Sequence, residues 1–249
     1  MKKLAIVLVV LIGLLVAADF GAAAVAEYQV SKRLRGHLDL PDDPAVRVNG
    51  FPFLTQAFGG DYREVEVTAD RVTVARLRDI GVEATLHHVR VPFSDLVSGS
   101  ADTVRVDEVV GRVRIQASAL GELINVDDLV VENVSDRDRP AGAPALPDNA
   151  VKLIGTADVL GQRLKVSVIG SLDLVGGQIQ VTAHDVEVDG QELPTATVQT
   201  VLRLFTTRLD PGALPFTVTP TSVTADNGAL VVEGTARDVV LNSGGVAPR

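Results

Sequence analysis

The chain has 249 residues, of which 46% are hydrophobic and 22% are charged, and its 32 acidic side chains outnumber its 23 basic ones. An excess of negative charge repels phosphate backbones, so nucleic acid is not expected as a partner. The absence of cysteine excludes disulfide frameworks, zinc–thiolate sites and thiol nucleophiles, and at this length core burial can hold the fold without them.

The N-terminus combines basic and apolar residues in the order typical of an export signal. Two lysines precede residues 4–18, which carry no polar side chain. An A-x-A sequence at 24–26 offers a cleavage site before Glu27. On this interpretation residues 1–26 are a signal peptide.

The same segment is also long enough to remain as a membrane anchor. Residues 4–26 contain a single charged side chain, Asp19, and can cross a bilayer with some tilt. Both interpretations place residues 27–249 outside the cytoplasm, because the two N-terminal lysines stay inside. The sequence therefore predicts an extracytoplasmic protein of the periplasm or cell envelope, either secreted or anchored to the cytoplasmic membrane.

A helix is predicted over residues 19–38, as a continuation of the apolar segment. This stretch is rich in alanine and other good helix formers. Lys32, Arg33 and Arg35 lie near its C-terminal end, where positive charge suits the helix dipole. The continuous helical pattern slightly favours retention of the anchor over its cleavage.

After residues 39–44 the pattern changes to the strict alternation of half-buried strands. Turn sequences at 160–163, 175–178 and 226–228 separate alternating runs, and the Asp-Asn-Gly of the last is a strong hairpin signal. Valine-rich alternating strands joined by such turns predict antiparallel sheet. The alternating runs are 45–51, 61–70, 71–77, 81–91, 103–116, 127–134, 150–159, 162–175, 177–190 and 215–241.

Three short helical windows interrupt the strands, at 92–99, 116–124 and 194–209. The last is amphipathic and begins at a proline. Its apolar stripe consists of Val198, Val201, Leu202, Phe205 and Leu209. Residues 137–149 contain three prolines and no periodicity, and they are predicted to be a linker that divides the sheet into two portions.

The sequence contains no pattern typical of a catalytic or metal-binding site. It lacks a nucleophile elbow and a glycine-rich phosphate loop. His87 and His88 are adjacent on a predicted strand and would point to opposite faces, so they cannot bind one metal together. His37 and His184 are isolated, and all four histidines are expected to be packed or solvated.

Several strands carry apolar residues at successive positions, so both of their faces are apolar. Examples are 109–110, 129–131, 230–232 and 239–241. A sheet with one solvated face does not need such a pattern. Either the strands lie in a thick sandwich core, or the sheet curls around a ligand.

Residues 49–72 gather three of the chain's seven phenylalanines, Phe51, Phe53 and Phe58, beside a proline and a glycine pair. This stretch resembles the LmeA-like phospholipid-binding family of actinobacterial cell-envelope proteins. The family pattern has a small residue, Pro-Phe-Leu, a helical turn, a glycine, an aromatic residue and an alternating strand. The matching residues are Gly50, Pro52, Phe53, Leu54, Gln56, Gly60, Tyr62 and Val65, and the pair Gly59-Gly60 has one glycine more than the pattern needs.

The resemblance extends from about residue 19 to about residue 242. It implies an α+β, mostly β fold, with a curled antiparallel sheet wrapped around a helix as in the tubular lipid-binding proteins. Residues 27–242 would form the lipid-binding domain, and 243–249 would be a flexible tail.

The resemblance also implies a function without catalysis. The chain would bind phospholipid, hold acyl chains in an apolar tunnel, and support the maintenance of lipids or lipoglycans in the envelope. Phospholipid would be the ligand, the membrane surface a second partner, and no cofactor or metal would be needed. The residues implied to line the tunnel are Phe51, Phe53, Leu54, Phe58, Leu96, Val201, Phe205 and Leu209.

Lys32, Arg33 and Arg35 are the residues expected to bind the phosphate of the headgroup, because a basic cluster is unusual in an acidic chain. They could equally cap the helix or touch the membrane surface. The alternative function is a structural envelope module that binds a protein partner through its sheet.

Overall fold

The computed structural model of the protein describes residues 2–74, 77–98, 103–134, 149–159, 161–175, 178–188, 191–192, 208–209, 219–226, 228–242 and 245–247. Within these residues the chain is mostly β, with two antiparallel sheets and four helices. This confirms the predicted fold class, including the long apolar helix at the N-terminus.

The four helices of the described residues are α1 Lys2–Leu38, α2 Phe53–Gly59, α3 Phe93–Ser98 and α4 Ala117–Ile124. Helix α1 runs without a break from the apolar segment into the alanine-rich stretch, as predicted. Helices α3 and α4 confirm the windows predicted at 92–99 and 116–124.

The third predicted helix, at 194–209, lies outside the described residues up to position 207. Its last two residues, Arg208–Leu209, form a short strand that pairs with Gln180 and Ile179. The helical prediction is therefore wrong for these two positions. Sheet hydrogen bonds to a distant strand outweigh a local preference for helix there.

The strands are β1 Ala45–Asn49, β2 Asp61–Val74, β3 Leu77–Arg90, β4 Thr103–Gln116, β5 Val126–Asn133, β6 Ala150–Val159, β7 Gln162–Val175, β8 Gln178–Val188, β9 Gln191–Glu192, β10 Arg208–Leu209, β11 Thr219–Asp226, β12 Ala229–Asn242 and β13 Gly245–Ala247. The first sheet has the order β1-β2-β3-β4-β12-β11, with β13 paired to β12. The second has the order β10-β8-β7-β6-β5, with β9 paired to β8. Among the described strands neither sheet closes on itself.

The three predicted hairpin turns are confirmed by the strand register. Val159 pairs with Gln162, Val175 with Gln178, and Asp226 with Ala229. Each turn therefore contains two residues, the length that antiparallel hairpins favour.

Two predictions about connecting segments can be compared with the pairing of the strands around them. The linker predicted at 137–149 lies outside the described residues except for Asn149. The strands on either side of it, β5 and β6, pair with each other, so the two sheets do not divide at this segment. Within the predicted tail, Gly245–Ala247 form β13 on the edge of β12, so this part of the tail is a strand.

The chain forms two compact units that are discontinuous in sequence. The first unit comprises 1–70, 83–111 and 236–249, and the second comprises 71–82 and 112–235. Strands β2, β3, β4 and β12 contribute residues to both units.

The core of the first unit forms around α1. The small side chains of Ala22, Ala23 and Ala26 let the sheet approach the helix closely. Valines from five strands, β1, β2, β3, β4 and β12, pack around them. These valines are Val48, Val65, Val89, Val106, Val109 and Val239. The first sheet therefore packs against α1 at these alanines, which is consistent with a curled sheet on a helix.

The core of the second unit forms between sheets. Strand β11 packs against β5 and β7 of the other sheet, and α4 packs against β5. Leu230, Val231 and Val232 are all buried, so both faces of β12 are covered at this point. The apolar residues at successive positions of β12 thus fit the sandwich interpretation here.

Backbone irregularities bend several of the strands. Asp128 has φ +50°, and the register of β5 against β6 shifts between Asp127 and Val130. Positive φ also occurs inside β2, β3 and β12, at Arg71, Asp79, His88 and Asp238. The bulge in β5 increases local twist, which favours a curled sheet over a flat one.

Candidate functional site

The first turn of α2 is capped by a side chain that is distant in sequence. Pro52 precedes the helix and makes no side-chain cap, so the first amides of α2 need other acceptors. The carboxylate of Asp19 on α1 supplies them, accepting from the amide of Phe53 at 2.9 Å and from that of Leu54 at 2.7 Å. Asp19 is only 4% exposed. We call this contact between Asp19 and the two amides the Asp19 clamp.

The rest of α2 is fixed by Gln56 and Gly60. The buried amide of Gln56 donates to the carbonyl of Gly50 at 2.8 Å and accepts from the amide of Arg63 at 2.9 Å. Gly60 ends the helix with φ +65° and would place a Cβ 3.3 Å from the carbonyl oxygen of Val91. Glycine is therefore favoured at position 60, whereas position 59 faces open space.

The aromatic residues around α2 have different environments. Phe53 is 2% exposed and packs in the core beside Tyr62, with ring centroids 6.1 Å apart. Phe51 is 56% exposed and stacks on Phe20 of α1, with ring centroids 6.0 Å apart. Phe58 is 89% exposed at the far end of α2. Phe53 therefore fills the core of the first unit, whereas Phe51 and Phe58 present apolar surface to solvent.

Leu54, the fourth predicted tunnel residue of this stretch, is half-buried and packs against the core that contains Phe53. The structure thus brings Phe53 and Leu54 together on the inner side of α2. Their assignment as lipid-binding residues stays a prediction.

A cavity of about 680 Å³ opens beside Phe58. This volume lies within the roughly 300–1,000 Å³ typical of small-molecule sites. Its walls come from the end of α2, the end of β3, the start of α3 and the start of β4, all within the first unit. The lining residues are Ala57, Phe58, Gly59, Gly60, Arg90, Val91, Pro92, Phe93, Ser94, Thr103 and Arg105.

The cavity combines apolar walls with positive charge. Phe58 and Phe93 are both exposed, and Val91 is buried behind them. Arg90 donates to Asp107 at 2.6 Å, so its charge is partly neutralised. Arg105 forms no ion pair within the part of the chain that the structure describes. The arrangement can therefore accept an apolar group and an anion side by side.

The basic cluster predicted for the headgroup, Lys32, Arg33 and Arg35, is close to an acidic partner. Lys32 donates to one oxygen of Asp43 at 2.6 Å, and Arg35 donates to the other at 3.2 Å. The hydrogen bond with Lys32 lowers the pKa of Asp43 and raises the pKa of the Lys32 ammonium. Lys32 and Arg35 thus share the single negative charge of Asp43, and the role of the cluster in headgroup binding stays a prediction.

The remaining predicted lipid residues cannot be placed in the site. Leu96 belongs to α3, but its side chain lies outside the described part of the structure. Val201 and Phe205 lie outside the described residues altogether. Leu209 lies on β10, not on the predicted helix.

Among the residues that the structure describes, no group of three or more His, Asp or Glu side chains could hold a metal ion. His87 lies 3.6 Å from Glu64, and His88 lies 3.3 Å from Asp61. The two adjacent histidines thus face two different carboxylates of β2.

Sequence reasoning missed Asp19, Phe20, Phe93 and Arg105 as site residues. A signal for Asp19 was present, because a lone carboxylate in an apolar run is costly unless a partner is provided. Phe20 directly follows it and has no signal of its own. Phe93 and Arg105 are brought to the cavity by the pairing of β3 with β4, which local patterns do not reveal.

Comparison with known proteins identifies a family. The family model of LmeA-like phospholipid-binding proteins matches residues 17–235. No curated protein and no solved structure matches the chain. The matched range begins two residues before Asp19 and includes every residue that lines the cavity.

Proposed function

The chain belongs to the LmeA-like phospholipid-binding family, and we propose that it is a non-enzymatic phospholipid carrier of the cell envelope that holds an acyl chain in its first unit. The cavity beside Phe58 is the observation that supports this proposal most directly. Its apolar wall, formed by Ala57, Phe58, Val91 and Phe93, suits an acyl chain. The acyl-chain tunnel that the family resemblance implies would begin at this cavity.

The energy available from acyl-chain burial is sufficient for stable binding. Each buried CH₂ contributes about 0.8 kcal/mol, so a long chain contributes on the order of 10 kcal/mol before ordering costs. Exposed phenylalanines such as Phe58 gain further from being covered, because their rings otherwise contact water.

The phosphate of the lipid is proposed to bind at Arg105, beside Arg90. Arg105 lines the cavity and is exposed, so a headgroup bound there would remain in contact with solvent. Arginine binds phosphate through several donors at once. Lys32, Arg33 and Arg35 are the alternative headgroup site, although Asp43 already occupies two of them.

The proposed location is the outer side of the cytoplasmic membrane, or the envelope beyond it. The apolar N-terminal helix and the two lysines before it support this location. A role in maintaining envelope lipids or lipoglycans would follow from lipid carriage at this place.

The test is the lipid content of the purified full chain. Mass spectrometry of an organic extract should find phospholipid at a near-stoichiometric amount. Phe58→Asp should remove most of this lipid without unfolding the protein, because Phe58 is 89% exposed and supports no core. A carboxylate would then lie where the acyl chain binds.

The matched control is Val130→Asp, which places the same charge at a 43% exposed apolar side chain on β5, away from the cavity lining. It should keep the lipid of the wild type. A wild-type protein that is free of lipid and exchanges no fluorescent phospholipid would contradict the proposal and favour the protein-binding module.

A further inference from the structure

The second half of α1 is part of the folded first unit. The Asp19 clamp joins it to α2, and the Ser31 hydroxyl donates to the carbonyl of Pro44 at 2.6 Å. Glu27 accepts from the amide of Val48 at 2.8 Å. Three hydrogen-bonded contacts thus tie the helix to the chain that follows, and its alanines lie in the core between them.

Cleavage before Glu27 would remove a large part of this arrangement. It would delete the Asp19 carboxylate and leave the amides of Phe53 and Leu54 without their acceptor. It would also delete Ala22, Ala23 and Ala26, around which the valines of five strands pack. A cavity would open at the centre of the unit. These contacts therefore indicate that residues 19–26 of α1 are not cleaved from the folded unit.

The first half of α1, in contrast, is not packed against the rest of the protein. All leucine, isoleucine and valine side chains from Leu4 to Leu15 are more than half exposed. The helix contains an 18-residue window with mean hydropathy 2.7, of which 6% is buried. A helix that is apolar all round and not covered by protein fits a hydrocarbon environment.

The length of this apolar part brings the protein close to the membrane. Residues 4–20 span roughly 24 Å of helix axis, whereas the hydrocarbon core of a bilayer is about 30 Å thick. The Asp19 clamp fixes the start of α2 at this same level, so the folded unit must begin where the bilayer ends. The exposed rings of Phe20 and Phe51 stack there and extend the apolar surface outward.

From these observations we propose that α1 is retained as a membrane anchor and that the Phe20–Phe51 pair docks in the headgroup region of the phospholipid bilayer that α1 crosses. Exposed phenylalanine rings favour this region, because apolar side chains at the boundary between headgroups and acyl chains are removed from water. The clamp makes the docking rigid, since Asp19 and Phe20 are adjacent on α1 and Phe51 lies two residues before the capped amide of Phe53.

The first measurement is the mass of the full chain recovered from the membranes of an exporting bacterial host. A chain that still contains residues 2–26 is expected. A mature chain that starts at Glu27 would overturn the proposal.

The second measurement uses the absence of tryptophan from the sequence. Phe51→Trp and, as an independent variant, Phe20→Trp each introduce a single fluorophore into the full chain in phospholipid vesicles. Phospholipids brominated near the headgroup end of their acyl chains should quench both strongly. Leu38→Trp is the matched control, because Leu38 is exposed on the same helix and lies about 27 Å along its axis from Phe20.

Quenching at positions 51 and 20 that exceeds quenching at position 38 several-fold is the expected result. Equal quenching at the three positions would overturn the docking. Neither measurement depends on lipid in the cavity, so this inference and the proposed function can fail separately.

Discussion

The hydroxyl of Tyr62 is buried in the core of the first unit and has no hydrogen-bond partner in the described structure. Tyr62 is 2% exposed, and burial raises the pKa of its phenol. A buried polar group without a partner destabilises the native state by about 1–3 kcal/mol. Its ring, in contrast, packs beside Phe53 and contributes to the core.

Tyr62→Phe should therefore leave the free energy of unfolding unchanged or raise it by about 1 kcal/mol, because it removes the hydroxyl and keeps the ring. Denaturant unfolding of the full chain in detergent measures this change. Tyr28→Phe is the control, since Tyr28 is 64% exposed and should show no effect. A loss of stability in Tyr62→Phe would mean that the hydroxyl has a partner in solution.

Asp19 gives a second prediction at the scale of one residue. Asp19→Ala should lower the stability of the full chain by about 1–3 kcal/mol, because two amides of α2 lose their acceptor. Asp19→Asn should cost less, since its carbonyl oxygen can still accept from one amide. Thermal unfolding of the two variants in detergent should rank them in this order, and equal melting temperatures for both variants and the wild type would contradict the clamp.

The sequence predicted which residues of the 49–72 stretch are unusual, but not what each of them does. Phe51, Phe53 and Phe58 have the same chemistry and lie close together in the chain. The exposed fractions of their side chains range from 2% to 89%, because only Phe53 packs into the core of the first unit. The exposure of each ring depends on how the short helix α2 and the residue pair before it pack against the core. The presence of three phenylalanines in the sequence does not reveal this packing.

At the scale of elements, local patterns predicted three hairpins and two of the three short helices correctly. The pairs β6–β7, β7–β8 and β11–β12 are joined by the two-residue turns that the sequence indicates. The pairing of β4 with β12 brings together residues more than a hundred positions apart, as in Arg112 and Glu233. Periodicity carries no information on such partners, and for this reason the order of the first sheet was not predicted.

The Arg112–Glu233 pair leads to a prediction about pH. Arg112 donates to Glu233 at 2.7 Å, and the Ser222 hydroxyl donates to the other oxygen at 3.2 Å. The hydrogen bond from Arg112 holds the pKa of Glu233 below its ordinary value of 4.5. Because the unfolded chain then binds the proton more readily, the pair stabilises the fold above pH 4.5, and this contribution is lost as pH falls through the folded pKa.

Glu233→Gln should therefore lower the free energy of unfolding at neutral pH. In acid the variant and the wild type should be equally stable, because the wild type loses the ion pair there. Exposed ion pairs contribute about 0.2–1 kcal/mol, so the effect should be small. Melting temperatures of wild type and variant, measured from pH 7 down to pH 3, should converge as pH falls. A constant difference over this range would show that the ionised carboxylate does not matter.

At the scale of the whole molecule, two candidate sites for the lipid phosphate lie within an acidic chain. The chain carries a formal net charge of −9, yet two basic groups lie within the first unit. One is the cluster of Lys32, Arg33 and Arg35 beside Asp43, and the other is Arg105 in the lining of the cavity. The sequence pointed to the cluster because its members are adjacent, whereas Arg105 is isolated in sequence and gains its significance from the cavity.

These two groups predict different outcomes for the binding of phospholipid headgroups. If Arg105 binds the phosphate, Arg105→Gln should reduce the amount of phospholipid that copurifies by roughly tenfold, because a hydrogen bond to a charged group contributes about 1.5–3 kcal/mol. Asp43→Asn should leave that amount unchanged, although it removes the charge that neutralises Lys32 and Arg35. If the cluster binds the phosphate instead, Asp43→Asn should increase the share of anionic phospholipid, and Arg105→Gln should have little effect.

The measurement is quantitative mass spectrometry of lipid extracted from each full-length variant, with the melting temperature of each variant recorded as well. Both side chains are exposed, so neither change should unfold the protein, and a difference in lipid content can be assigned to headgroup binding. We expect Arg105→Gln to reduce the amount of phospholipid, because Arg105 lines a cavity whose apolar residues can contact an acyl chain. Lys32 and Arg35, in contrast, already form ion pairs with the carboxylate of Asp43.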